Sequence, residues 1–128
     1  MSAKILIADD EAHILHVLSM KLCNAGFEVL TAQDGEEALE LYHAEQPALV
    51  ITDYQMPFMT GLDLCRAMRE SGSAVPTVLL TARGYDVEGS EMADAGIAAV
   101  LEKPFSPREV LALVEDLLKD SQTFSSQA

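Results

Sequence analysis

Three acids, a hydroxyl and an amine stand where apolar runs stop. Ile5 to Ala8 ends in Asp9-Asp10, residues 48–52 (ALVIT) end in Asp53, Leu79-Leu80 end in Thr81, and Lys103-Pro104 follows the run 98–101. A short β-branched run without polar alternation reads as a strand buried on both faces, and an open α/β sheet carries its site where such strands emerge. If these ends meet, three carboxylates share a pocket, and their repulsion either raises a pKa or calls for a cation. Mg2+ suits a shallow acidic crevice, because it takes oxygen ligands, keeps several waters and uses only one or two carboxylates beside phosphate oxygens. A lysine held by the acids can grip an anionic oxygen, and a threonine hydroxyl can donate to another. Such a set fits phosphoryl transfer, where the protein chiefly positions groups and neutralises charge. Asp53, in the middle, is the candidate nucleophile, and an aspartate ionised at neutral pH needs no general base. Its product is an acyl phosphate, which hydrolyses readily, so the modification is transient and needs an activated donor.

The rest of the chain supplies elements that could bring these ends together. Residues 4–8 (KILIA) read as a strand; Ile14, Val17, Leu18 and Leu22 then repeat at helical period, with Gly26 as the stop. Residues 27–32 alternate as a strand, and Asp34-Gly35-Glu36-Glu37 is a capping box opening a helix with Ala38, Leu41 and Tyr42 on one face. After the strand ending at Asp53, Thr60-Gly61-Leu62-Asp63 can cap a helix carrying Leu64 and Met68, and Ser71-Gly72-Ser73 breaks it. Residues 76–81 form a fourth strand, 86–95 a weaker and more polar helix, and 98–101 a short fifth strand. Ser106-Pro107-Arg108-Glu109 is a capping box with proline at the first helical position, ahead of Val110, Leu111, Val114, Leu117 and Leu118. Five strands alternating with five helices mean a doubly wound parallel sheet, since each right-handed crossover buries its helix against a sheet face. Numbered along the chain, the expected order is 2-1-3-4-5, flavodoxin-like (βα)5, with its crevice between strands 1 and 3.

At 128 residues and 49% hydrophobic, the chain suits one domain, expected over 1–120, with 121–128 as a short polar tail. Eight basic against 21 acidic residues leave a net charge of −13, which disfavours direct contact with nucleic acid or an anionic membrane surface. No apolar run approaches the roughly 20 residues a membrane span needs, and the N-terminus lacks a signal-peptide pattern. Cys23 and Cys65 lie in helical patterns without CxxC spacing and read as small core residues in a reducing compartment, so a cytoplasmic location is expected. His13, His16 and His43 are too scattered for a metal set, and none is a credible phosphodonor; Met56, Met59 and Met68 read as gap-filling residues.

The joint pattern ILIADDE, VITDYQMPFMTG, VLLTA and LEKPF resembles the receiver domain of two-component response regulators, over residues 4 to about 119. The resemblance implies that Asp53 accepts phosphate from the phosphohistidine of a sensor histidine kinase or a histidine phosphotransfer protein. It implies that Asp10, Asp53 and the backbone carbonyl of Gln55 bind Mg2+, that Asp9 helps through metal-bound water, and that Thr81 and Lys103 contact the phosphoryl group. It further implies a cis bond before Pro104, and a small residue at Ala82 that leaves the site open. A protein of this kind turns over no external substrate; it catalyses its own phosphorylation and dephosphorylation and switches the binding of a downstream protein target. One departure stands out. Where the family usually has Tyr or Phe three residues before the lysine, this chain has Val100, which suggests a switch acting through the loop after Thr81 and the helix at 86–95.

Each residue also has a plainer explanation. Asp9, Asp10 and Thr81 could be helix caps and Lys103 a solvated charge; Arg83 and Gln55 could tune acyl-phosphate hydrolysis. Two other functions share parts of the pattern. A Mg2+-dependent aspartyl-phosphate phosphatase needs a second aspartate two residues after the nucleophile, where Gln55 stands, and a flavodoxin-like cofactor binder needs a Gly- or Ser/Thr-rich first loop, where Asp9-Asp10-Glu11 stands. A phosphorylation-independent pseudo-receiver scaffold would tolerate Val100, yet all five site residues are retained.

Overall fold

Parity along the strands builds the core. Successive side chains of a strand face opposite sides, and here both sides are apolar: Ile5, Ile7, Leu49, Ile51, Val78 and Leu80 enter one buried cluster, while Leu6, Ala8, Val50 and Leu79 enter the other. The computed structural model describes residues 3–72, 75–81, 96–103 and 105–127, with side chains up to residue 119. Within them, strands β1 (Lys4–Ala8), β2 (Glu28–Ala32), β3 (Leu49–Asp53), β4 (Thr77–Thr81) and β5 (Ile97–Glu102) form one parallel sheet in the order β2-β1-β3-β4-β5. This is the expected doubly wound fold. The helices are α1 (Ala12–Asn24), α2 (Gly35–Glu45), α3 (Gly61–Glu70) and α4 (Pro107–Gln127). Residues of α1 and α4 belong to the first cluster and those of α2 and α3 to the second. The expected helix at 86–95, Ala82, Arg83 and the bond to Pro104 lie outside the described residues.

Several helix signals act as their sequences suggest. Thr60 and Asp63 form a reciprocal capping box, and so do Ser106 and Glu109. Asp34 Oδ1 accepts the Glu37 N–H at 2.8 Å, but the Glu37 carboxylate takes the N–H of Gln33 instead of that of the capping residue. On α1 the buried stripe is Leu15, Leu18 and Leu22, with Ile14 at its margin. Val17 is half-buried and stands beside Met20, because a 3.6-residue period centred on Leu18 carries position 17 off the sheet. The same rotation corrects the expectation for Cys23, which is exposed while Leu22 takes the core position; Cys65 is buried, and burial pushes its thiol pKa up to about 12, leaving it unreactive. The backbone of α4 continues through residues 121–127, the stretch that composition marks as tail.

Two features of the loop between β3 and α3 set the geometry beyond Asp53. Gly61 lies against the strand end so closely that a Cβ there would sit 2.4 Å from the Asp53 carbonyl oxygen and 2.9 Å from Leu79 Cδ1. Phe58, at φ +71°, occupies the left-handed region, which costs a residue with a Cβ about 1–2 kcal/mol. Gly61→Ala is therefore expected to lower unfolding free energy by about 1–3 kcal/mol through overpacking against backbone, read as a lower urea midpoint at unchanged slope. An unchanged midpoint would mean the loop can back away from β3.

Candidate functional site

Register delivers two of the acids side by side. Ile5 pairs with Leu49 and Ile7 with Ile51, so the same offset sets Asp9 beside Asp53, on the side of the sheet that faces α1 and α4. Leu101 shares that side on β5, and Lys103 follows it with the same parity. Lys103 is tied to β4 by its N–H, which donates to the Thr81 carbonyl at 2.7 Å, and Tyr54 is tied likewise to Leu80 at 2.8 Å. The Lys103 Nζ then stands 3.3 Å from Asp53 Oδ1, 3.6 Å from Asp9 Oδ2 and 3.7 Å from Glu11 Oε1.

Six predicted site residues can be placed directly. Asp9 and Asp53 are buried, at 0% and 6% exposure, while Asp10 is exposed, and one oxygen from each of the three lies within 4.8 Å of the others. Lys103 bridges the two buried acids. Thr81 is buried at the end of β4, one residue beyond the position that pairs with Asp53. Gln55, two residues past Asp53, is exposed. Val100 is half-buried on the opposite side of the sheet from Lys103, against the cluster under α2 and α3 to which Met56 belongs. His13, His16 and His43 are exposed. Glu11 is a member that residue-by-residue reading did not assign: it is the N-cap of α1 without a side-chain cap bond, and its carboxylate pairs with Lys103. Its place directly after Asp9-Asp10 was the available signal.

The electrostatics reflect carboxylates held out of water. Burial raises the Asp9 pKa from 3.8 to about 6, with Asp53 adding to the rise, while the Glu11 N–H on Asp9 Oδ1 at 2.9 Å and the Lys103 charge pull it down. Burial likewise raises that of Asp53, against the pull of Lys103. Burial pushes the Lys103 ammonium toward losing its proton, but Asp9, Asp53 and Glu11 outweigh this and its pKa ends above the ordinary value. Asp9 Oδ2 is buried and, among the described residues, accepts no hydrogen bond, its nearest charge being the Lys103 ammonium at 3.6 Å. A buried anionic oxygen left in that condition, within reach of two more carboxylates, one of them open to solvent, matches an all-oxygen site for a hard divalent cation.

The fold and site define an α/β domain with a doubly wound parallel sheet that gathers three carboxylates and a lysine at its strand exits. The chain belongs to the response regulator receiver domain family, whose profile matches residues 5–115. It is 37% identical to the alkaline phosphatase synthesis transcriptional regulatory protein PhoP of Bacillus subtilis over 95% of this chain and 51% of that protein. It is 41% identical to the probable transcriptional regulator ycf27 of Guillardia theta over 96% of this chain and 49% of that one. The chain thus spans about half the length of these curated relatives. Among solved structures it is similar to the chemotaxis response regulator CheY4 of Vibrio cholerae, at 33% identity and a TM-score of 0.84, covering 91% of this chain and 99% of that one. The receiver domain of the Francisella response regulator 1452 matches at 29% identity and a TM-score of 0.86, over 94% and 99%. Receiver domains bind Mg2+ at an acidic pocket of this kind, and they are signalling domains. Among the described residues, no helix is long and apolar enough to cross a membrane.

The raised Asp9 pKa sets a pH dependence. Between about pH 4 and pH 6 the folded chain holds a proton at Asp9 that the unfolded chain has released, so stability falls as pH rises through this window and the penalty is complete above it. With a chelator present, Asp9→Asn is expected to be more stable than wild type at pH 7.5 by on the order of 2 kcal/mol, read as a higher Tm, and to lose this advantage near pH 4. Addition of Mg2+ should raise the wild-type Tm and narrow the gap. A gap that is as wide at pH 4 as at pH 7.5 would show that the charge on Asp9 is not its source.

Proposed function

We propose that this receiver domain is a phosphoacceptor switch modified on Asp53. The observation that carries the reading is the approach of the Lys103 ammonium to 3.3 Å from Asp53 Oδ1, with Asp9 and Asp10 gathered beside it. The donor is the phosphohistidine of a sensor histidine kinase or of a histidine phosphotransfer protein. An Asp53 carboxylate oxygen attacks phosphorus, the P–N bond breaks, its electron pair returns to the imidazole, and the products are an aspartyl phosphate and a histidine that takes up a proton from water. Asp10, Asp53 and the Gln55 carbonyl would hold Mg2+, with Asp9 acting through bound water. When bound, the ion supplies positive charge against the phosphoryl oxygens. Lys103 pairs with one phosphoryl oxygen, exchanging a carboxylate partner for a phosphate one, and the Thr81 hydroxyl donates to another.

Water then hydrolyses the acyl phosphate, and no external substrate is turned over. The phosphorylated state is read by a downstream protein target in the cytoplasm. The curated relatives are transcriptional regulators about twice as long as this chain; a DNA-directed output would belong to residues other than these, whose net charge of −13 repels phosphate backbones. Val100 in place of the usual aromatic favours a readout through the segment after Thr81, and it is the one feature that also suits a scaffold without phosphorylation.

Incubation with acetyl phosphate and Mg2+ followed by intact-mass measurement tests the reading. Wild type is expected to gain one phosphate, and Asp53→Asn or an excess of EDTA to abolish the gain. Lys103→Ala should slow it by about 100-fold or more, as loss of a charge-stabilising donor does. An adduct that survives Asp53→Asn unchanged would remove Asp53 from the chemistry.

A further inference from the structure

Phe58 is a large aromatic side chain, 84% exposed, on a backbone at φ +71°. Neither feature helps the chain fold: an exposed ring buries no area, and the left-handed conformation is one that glycine or asparagine adopts more readily. The rest of its loop is pinned. The Gly61 N–H donates to the Tyr54 carbonyl at 2.8 Å and the Met59 N–H to the Pro57 carbonyl at 2.8 Å. Met56 is buried beside the Thr52 hydroxyl, and Met59 packs on α2 so closely that a Cβ on Gly35 would lie 2.6 Å from its own Cβ. This anchoring leaves Gln55, Pro57 and Phe58 exposed, and of these Phe58 is the large hydrophobic side chain, five residues from Asp53 and so within roughly 18 Å of it even if the chain were fully extended.

Asp53 is recessed, so a protein donor has to lower its phosphoryl group into the pocket while the surrounding surface settles on the rim. That rim is acidic, with Asp10 and Glu11 exposed, in a chain of net charge −13, and the incoming group is anionic as well. The rim carboxylates give the incoming phosphoryl group no attraction of their own, and apolar contact at the rim is one source of affinity that does not depend on charge. Aromatic side chains are the residues that most often supply it at protein interfaces. We propose that Phe58 is the specificity anchor for the phosphohistidine-bearing protein, filling an apolar pocket on it when it docks over Asp53. This deepens the reading of Asp53 as phosphoacceptor and rests on it.

Two donors separate docking from chemistry: acetyl phosphate, and a histidine-kinase core charged with labelled ATP and selected for transfer to the wild-type chain. Phe58→Ala is expected to take phosphate from acetyl phosphate at the wild-type rate and from the kinase about tenfold more slowly, the loss of one interface anchor. Phe58→Tyr should retain both rates, and Phe58→Gly, which relieves the backbone, should match Phe58→Ala in transfer while melting no lower than wild type. Kinase transfer to Phe58→Ala at the wild-type rate would overturn the proposal. Equal slowing with both donors would overturn it too, by placing the effect on Asp53 itself. A wild-type chain that gains no phosphate from either donor would instead overturn the phosphoacceptor reading beneath it.

Discussion

The fold is arranged around two carboxylates that it keeps out of water. Asp9 and Asp53 are both buried and adjacent, a placement that costs free energy in any folded protein unless positive charge or hydrogen bonds repay it. Lys103 repays part. Its ammonium lies 3.3 and 3.6 Å from the two acids, yet Asp9 Oδ2 remains without a hydrogen bond and both acids keep raised pKa values. Among the described residues the site is thus under-neutralised, which is the condition in which a divalent cation finds partners. Stability and function pull against each other at these positions, as they commonly do at sites whose groups are held ready for a ligand.

The surroundings hold this arrangement rigidly. Backbone hydrogen bonds from Tyr54 to Leu80 and from Lys103 to Thr81 extend the sheet ladder past the strand ends, so the residues carrying the chemistry inherit the register of the core. Each large apolar side chain fully buried beneath them contributes roughly 1.5–3 kcal/mol, enough in sum to carry the local cost of the acids. Gly61 lets α3 begin directly against the Asp53 carbonyl, and the buried Met56 closes the loop from below. Val100 lies on the other side of the sheet, partly buried against the cluster under α2 and α3.

Much of this was legible in the order of residues. Short apolar runs marked most of the strands, capping residues such as Thr60-Asp63 and Ser106-Glu109 marked helix starts, and five strands alternating with helices pointed to a parallel sheet and its order. These signals are local, and local chemistry reads them. Other features were not legible. The helical stripe of α1 was placed one residue off, with Val17 in and Leu15 out, because an apolar residue at the flank of a face has the same character as one at its centre and only contact with the sheet distinguishes them. Cys23 was misjudged for the same reason.

The sequence by itself determined which residues could do chemistry and that each stood at the end of a strand; β1, β3 and β4 are buried, whereas β5, which leads to Lys103, is only partly so. It could not determine distances between groups separated by 44 or 50 residues, because those depend on strand register and on the path of each crossover. Tertiary structure decided that Asp9 and Asp53 share one side of the sheet, that Lys103 reaches both, that Glu11 joins them, and that Phe58 is turned out to solvent. The physical reason is that charge interactions and burial act through space, whereas composition and periodicity report only on neighbours along the chain.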